Sequence, residues 1–248
     1  MSRPAPRTLQ VIASRYITPN MLRLTLGGAE IATFPADQES AYIKLIFPGE
    51  DGGKDLMRTY TVRYQRAGEF DVDFVIHGDG GPASNWAKSA RPGDDIRVGG
   101  PGPKKLVDNS ADWFLLAGDM TALPAMSVSI EQLPADARGY AVIEVAEEGD
   151  IQTLEHPPSF ALHWVINAHP GKDSRVLVNR VRQLEWLSGR PSVWAACEFS
   201  EMRELRRYFK EERQVARQDL YISSYWKCGS SEDQHKVVKR EDGEAFGE

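Results

Sequence analysis

The residues best equipped for chemistry lie between positions 58 and 86, where Arg58-Thr59-Tyr60-Thr61 is followed by His77-Gly78-Asp79-Gly80-Gly81-Pro82-Ala83-Ser84-Asn85-Trp86. Arg58 offers a permanently charged fork for a phosphate, Tyr60 a flat ring face, and Thr59 and Thr61 hydroxyls at alternate positions of an extended segment. The second stretch is a glycine-rich turn that opens a short helix, whose first backbone N–H groups, near Ala83, Ser84 and Asn85, can meet an anion. Together the two stretches read as halves of one pyrophosphate clamp, a set that suits a flavin dinucleotide.

These groups need a scaffold, and the chain predicts two. From Leu9 to Gly99 the pattern is short strands separated by turn residues, at Leu9–Tyr16, Met21–Leu26, Tyr42–Phe47, Thr59–Tyr64, Phe70–Ile76 and Asp95–Val98. Leu22, Leu24 and Leu26 alternate with Arg23 and Thr25, the period of a half-buried strand. Six such strands and one short helix predict a small closed antiparallel barrel. Pro101-Gly102-Pro103 then breaks the chain, which places a boundary near Lys105 and divides it into residues 1–107 and 108–248.

Beyond the boundary the rhythm changes to apolar strand, helix, apolar strand. Trp113–Ala117, Ala141–Val145, Leu162–Ile166 and Val193–Cys197 read as buried strands. Ser174 and Ser200 are placed to cap helices, and a helix after Gly118 carries Ala122, Met126, Ile130 and Leu133 on one face. This predicts an open parallel sheet wound with helices, whose ligand crevice lies outside the carboxyl ends of its strands. Gly118-Asp119-Met120-Thr121 and Cys197-Glu198 stand at two of those ends. The first suits either the close approach of a nicotinamide nucleotide or an ordinary strand-to-helix turn. No Gly-x-Gly-x-x-Gly fingerprint is present. Arg203, Arg206 and Arg207 read either as contacts for a 2′-phosphate or as a solvated helix face.

The tetrapeptide at Arg58, the run from His77 to Ser84, Gly118-Asp119-Met120-Thr121-Ala122-Leu123-Pro124-Ala125 and Tyr225-Trp226-Lys227-Cys228-Gly229 are together similar to the siderophore-interacting protein family of ferric-siderophore reductases, a branch of the ferredoxin–NADP reductase-like flavoproteins. The resemblance implies a two-domain β plus α/β fold, with an N-terminal six-stranded antiparallel β-barrel for FAD and a C-terminal parallel α/β sheet for NAD(P)H. It implies that Tyr60 packs on the isoalloxazine ring, that Arg58 reaches the pyrophosphate and that Thr61 lies near the redox-active edge. Thr59, Val75, Ala83, Ser84, Asn85 and Thr121 complete the implied FAD set. His77 reads either as a hydrogen-bond partner of the flavin or its ribityl chain, or as a cap of its own turn. NADH or NADPH, the implied electron donor, would meet Gly118, Asp119, Cys197 and Glu198. The chain departs from the family pattern at Met120, where glutamate is usual, and at Cys197, where glycine commonly precedes the glutamate.

Composition narrows the alternatives. Thirty-six acidic and thirty basic side chains give a net charge of −6, which argues against wholesale nucleic-acid binding and requires a local basic pocket for any anionic ligand. Lys236, Lys239 and Arg240 share one face of a C-terminal helix opened by Ser231 and Gln234. With Lys44 they read as a basic funnel for an anionic ferric chelate, or, on the helix alone, as cations favoured by its dipole. Residues 241–248 read as a frayed acidic tail. Cys197 and Cys228 are the only cysteines, so neither a disulfide framework nor a metal centre is expected, and no catalytic residue is needed beyond the cofactor. No apolar run approaches a membrane span, and a cytoplasmic protein is expected. The expected activity is FAD-dependent reduction of a ferric siderophore to release Fe(II), with electrons from NAD(P)H or ferredoxin. The alternatives are a flavin reductase for a protein redox partner and a non-catalytic flavin-containing siderophore carrier.

Overall fold

The computed structural model describes residues 5–49, 53–76, 80–172 and 175–246. The chain divides into two compact units, Met1–Lys105 and Leu106–Glu248.

In the first unit β1 (Arg7–Thr18), β2 (Met21–Gly27), β3 (Tyr42–Phe47), β4 (Leu56–Thr61), β5 (Tyr64–Arg66), β6 (Glu69–Val75) and β7 (Asp95–Gly99) form one antiparallel sheet in the order β4-β3-β7-β1-β2-β6-β5. Its seven strands correct the expected closed barrel of six. The stretch expected as one strand, Thr59–Tyr64, is two strands at opposite ends of the sheet. The cause lies at Val62 and Arg63, whose N–H groups donate to the carbonyls of Ala41 (2.9 Å) and Asp71 (2.8 Å). Within two residues the chain therefore leaves β3 and joins β6, so β4 and β5 remain edges that do not pair with each other.

Alternation in β2 buries Leu22, Leu24 and Leu26 against Leu9, Ile43, Phe70 and Phe74. The opposite face is not solvated as its pattern suggests. Arg23 stands directly across from Asp73 in the β2–β6 register, with Nε and Nη2 donating to the carboxylate at 2.6 and 2.7 Å, and its guanidinium lies 4.9 Å from the Tyr64 ring. Helix α1 (Pro82–Ser89) begins at a proline, whose missing N–H costs nothing there, and buries Ala83 and Ala87 with Trp86 at the core's margin.

In the second unit β8 (Trp113–Gly118), β9 (Gly139–Val145), β10 (Phe160–Ile166), β11 (Pro191–Glu198) and β12 (Leu220–Trp226) form a wholly parallel sheet in the order β10-β9-β8-β11-β12. The strand order reverses between β8 and β11, so the topological switch point lies where Gly118 and Glu198 end their strands. Helices α2 (Leu123–Glu131), α3 (Val176–Arg182), α4 (Phe199–Arg207) and α5 (Glu232–Ala245) connect and follow the strands. Helix α2 is buried from Leu123 to Ile130, not along one face only. Ser174 lies outside the described residues, and the N-cap of α3 is Arg175.

Helix α5 opens with the expected capping box, Ser231 and Gln234 each satisfying the other's backbone N–H. Its far end corrects the expected frayed tail, since the helix runs to Ala245. The Asp242 carboxylate holds Arg206 at 2.6 Å and Arg203 at 3.0 Å. Arg206 is buried, which corrects the solvated-face reading for it, whereas Arg203 and Arg207 are exposed as that reading expects. No helix among the described residues is long and apolar enough to cross a membrane.

Candidate functional site

The β3–β4 register decides which members of the arginine–tyrosine motif act together. Leu45 faces Arg58, Ile43 faces Tyr60, Lys44 faces Thr59 and Tyr42 faces Thr61. Because side chains alternate along a strand, Arg58 and Tyr60 share one face, and Thr59 and Thr61 the other. Tyr60 is half-buried, with its ring centroid 4.4 Å from that of Phe74. Phe74 and Phe47 in turn pack on Trp86 of α1, at 6.1 and 5.7 Å. The tyrosine is thus a ring laid on an aromatic bed, with its other side directed outward. Arg58 Nη1 donates to the carbonyl of Met57 at 3.1 Å. On the opposite face Lys44 donates to the Thr59 hydroxyl and lies 5.7 Å from the Tyr42 ring centroid.

The start of α1 supplies the second half of the arrangement. Pro82 carries no N–H, so the first backbone donors of the helix belong to Ala83 and Ser84; the Asn85 N–H, expected to be free as well, instead donates to the Gly81 carbonyl at 2.9 Å. A Cβ at Gly81 would meet nothing within 4 Å, which leaves this turn open for a ligand to approach the backbone. The Ser84 hydroxyl is turned inward, donating to the Val75 carbonyl at 3.2 Å, so its N–H and not its side chain is the group offered outward. Gly80 adopts φ +58°, where a side chain would be strained. His77, with Gly78 and Asp79, lies outside the described residues. A phosphate-compatible arginine, a supported ring and a bare helix start belong to one unit, and they fit FAD.

In the second unit the predicted nucleotide residues are brought together at the switch point, where much of their bonding is internal. Asp119 accepts from the Thr121 N–H (2.9 Å), the Thr121 hydroxyl (2.5 Å) and the Trp226 indole (2.7 Å). Glu198 caps α4 by accepting from Ser200 N–H at 2.5 Å, and it also accepts from Cys228 N–H at 3.1 Å. A Cβ at Gly118 would lie 2.6 Å from Met126 Sδ and 2.7 Å from the Ala196 carbonyl, so the close packing of α2 and β11 already requires this glycine. Cys197 is fully buried, and burial pushes its thiol well above the ordinary range.

Sequence reasoning missed two carboxyls in this cluster. Glu144 interrupts the apolar run of β9 and is 2% exposed; Glu201, in the first turn of α4, is 7% exposed. Burial, then the charge of Asp119, raises Glu144 to about 7. Burial, then Glu144, Asp119 and Glu198, raises Glu201 to about 8. A glutamate inside Ala141–Val145, a run otherwise made of Ala, Val and Ile, was the available signal. Among the described residues no group of three or more His, Cys, Asp or Glu is placed to hold a metal ion.

The basic residues on α5 divide by partner. Lys239 donates to the Ser223 hydroxyl and the Ser224 carbonyl, both at 2.7 Å, and so fastens the helix to β12. Lys236 meets Glu232 and Asp233 at 3.2 and 3.3 Å, and Arg240 lies 4.0 Å from Glu244, all on α5 itself. Lys44 belongs to the other unit.

Comparison with known proteins covers both units. The profile of the siderophore-interacting FAD-binding domain matches residues 10–56 and 50–105, and that of the siderophore-interacting protein matches residues 111–229. The chain belongs to the siderophore-interacting protein family. It is 34% identical to the ferric vibriobactin reductase ViuB of Vibrio cholerae over 254 residues, 94% of this chain and 93% of that protein. It is 30% identical to the ferric acinetobactin reductase of Acinetobacter baumannii over 192 residues, 76% of this chain and 67% of that one. The crystal structure of the siderophore-interacting protein SipS from Aeromonas hydrophila superposes with a TM-score of 0.87 at 31% identity, covering 97% of this chain and 98% of SipS. For this family member the architecture of antiparallel sheet followed by parallel α/β sheet is ferredoxin–NADP reductase-like.

Proposed function

We propose that this protein is a cytoplasmic FAD-dependent ferric-siderophore reductase, in which the first unit holds FAD and the second receives NAD(P)H. The observation that carries the reading is the Tyr60 ring, laid on Phe74, which in turn packs on Trp86, on the same strand face as Arg58, in a unit matched by a siderophore-interacting FAD-binding domain. When bound, FAD accepts the two electrons of a nicotinamide hydride and passes them on singly, as ferric iron requires.

The chain's own residues orient and hold. Tyr60 supplies the flat support, Arg58 and the N–H groups of Ala83 and Ser84 meet the pyrophosphate, and Thr61 stands on the opposite face of β4. In the second unit Gly118, Asp119, Thr121, Cys197 and Glu198 are the residues assigned to the nucleotide crest. The substrate is Fe(III) in an anionic chelate of hard oxygen donors, which grips Fe(II) less well, so reduction releases the metal without iron ligands from the protein. Lys236, Lys239 and Arg240 of the second unit are the cations assigned to that chelate. Lys236 and Arg240 pair with acids of their own helix, of which Asp233 and Glu244 are exposed and exchange at small cost. Lys239 must give up two hydrogen bonds to β12 to join them. Relatives named for vibriobactin and acinetobactin reduction support this substrate class.

The test uses the purified full chain reconstituted with FAD. Bleaching of the yellow protein by NADH, NADPH or reduced ferredoxin, followed in stopped flow by reoxidation with a ferric siderophore and appearance of Fe(II), is the expected result. A folded protein that takes up no FAD, or a reduced protein that no ferric siderophore reoxidises, refutes the proposal.

A further inference from the structure

In a parallel α/β sheet a dinucleotide enters the crevice outside the carboxyl ends of the strands. In this structure that crevice is covered in two layers. The Trp226 indole donates to Asp119 Oδ2 at 2.7 Å and the Cys228 N–H donates to Glu198 Oε1 at 3.1 Å, so the chain leaving β12 lies over the ends of β8 and β11. Residues 167–172, which leave β10 at the other edge of the sheet, form the second layer. A Cβ at Gly171 would stand 2.7 Å from Cys228 Cβ and 3.0 Å from Trp226 Cη2, so this backbone rests on the two residues that hold the carboxylates. Segments from the two edge strands thus meet above the three strands between them, and Asp119 and Glu198 beneath are buried.

The upper segment is fastened at its base and not at its tip. The Asn167 N–H donates to the Val145 carbonyl at 2.8 Å, and the Asn167 side chain bonds Glu144, also on β9. Asn167 Oδ1 accepts from the His169 N–H at 3.0 Å and the His169 carbonyl from the Lys172 N–H at 3.2 Å, which closes the turn on itself. Among the described residues the tip meets Trp226 and Cys228 by van der Waals contact alone, and His169, Pro170 and Lys172 beside it are exposed. On the return limb Arg175 meets Glu204 of α4 at 3.0 Å, an ion pair of partly exposed side chains that is worth little. Gly171 adopts φ +79°, and the space of its missing Cβ is what lets the tip lie flat.

We propose that residues 167–172 are a strap over the β8–β11 switch point, closed in this structure, whose tip lifts from Trp226 and Cys228 to admit the nicotinamide nucleotide. The inference rests on the reductase reading and gives its electron donor a gate. It accounts for the burial of strand-end residues that a bound dinucleotide must reach.

The test locks the strap and, separately, wedges it open, in the FAD-loaded full chain. G171C places a thiol beside Cys228, which is exposed, whereas Cys197 is buried and does not compete. Diamide takes up two electrons and two protons as the two thiols form a disulfide, counted by the loss of free thiol. The expected result is that NADH reduces the flavin of the locked protein at least about tenfold more slowly in stopped flow, and that dithiothreitol restores the rate. Dithionite still reduces the locked flavin, which shows the FAD unit intact. G171A disfavours only the closed tip, by its positive φ and its Cβ, so reduction at subsaturating NADH is about fivefold faster than in the parent. A locked protein reduced by NADH at the parent rate, thiols at 171 and 228 that do not pair, or a stably folded G171A that is slower than the parent overturns the strap and leaves the reductase reading standing. A parent protein that neither NADH nor NADPH reduces overturns both.

Discussion

Replacing Tyr60 by alanine separates the two things its ring does. Toward the interior the ring meets Phe74 at 4.4 Å and 38°, a contact worth about 0.5–1.5 kcal/mol beyond area. Its loss in a unit of this size lowers Tm by roughly 2–12 °C. Toward solvent the ring offers a stacking surface, and removal of an aromatic platform costs a stacked heterocycle about 1–3 kcal/mol. FAD affinity should therefore fall about 5- to 150-fold in Y60A, measured by quenching of flavin fluorescence on titration into apoprotein well below its Tm. Y60F keeps the ring and should retain both the stability and most of the affinity. A folded Y60A that binds FAD as tightly as the parent would show that the motif is an ordinary strand and remove the basis of the flavin assignment.

In D242N Arg203 and Arg206 lose the charge of Asp242, and a fall in Tm is expected; an unchanged Tm would refute the ion pair as an anchor of α5. G118A should destabilise the fold whether or not nucleotide is present, because its Cβ meets the Ala196 carbonyl at 2.7 Å, and a selective loss of NAD+ binding in a fully stable variant would favour the nucleotide reading instead. Glu144 and Glu201 bind protons more tightly folded than unfolded, so stability is highest below their unfolded values and declines as pH rises through about 7 and 8. Chemical unfolding from pH 5 to 9 should show that decline, at most about 1.4 kcal/mol per pH unit for each group, with E201Q removing its share; a flat profile would refute the burial argument.

How much of this was legible depended on how far apart in sequence the deciding residues lie. The Arg58–Tyr60 strand, the Pro82 helix start and the capping box at Ser231 are set by neighbours within a few positions, and the structure shows each where the local chemistry puts it. The split of Thr59–Tyr64 into β4 and β5 was not legible, since it depends on carbonyls at Ala41 and Asp71 that only the folded sheet brings to Val62 and Arg63. Strand β12 was hidden for another reason. As a half-exposed edge strand with Ser223 and Ser224 in its middle, it shows neither the continuous apolar run of a buried parallel strand nor a clean alternation.

Charge was the least legible property. Arg23 falls on the polar positions of its strand and Arg206 was left between a phosphate contact and a solvated helix face, yet both are buried and held by an aspartate, the second by Asp242 from a segment that read as frayed. The carboxyls at the switch point behave oppositely. Helix starts in a parallel α/β sheet ordinarily offer their N–H groups to a ligand's phosphates, but here Asp119 and Glu198 occupy those donors themselves. The first donors at these two helix starts are therefore satisfied by the chain's own carboxylates rather than left for a ligand's phosphates.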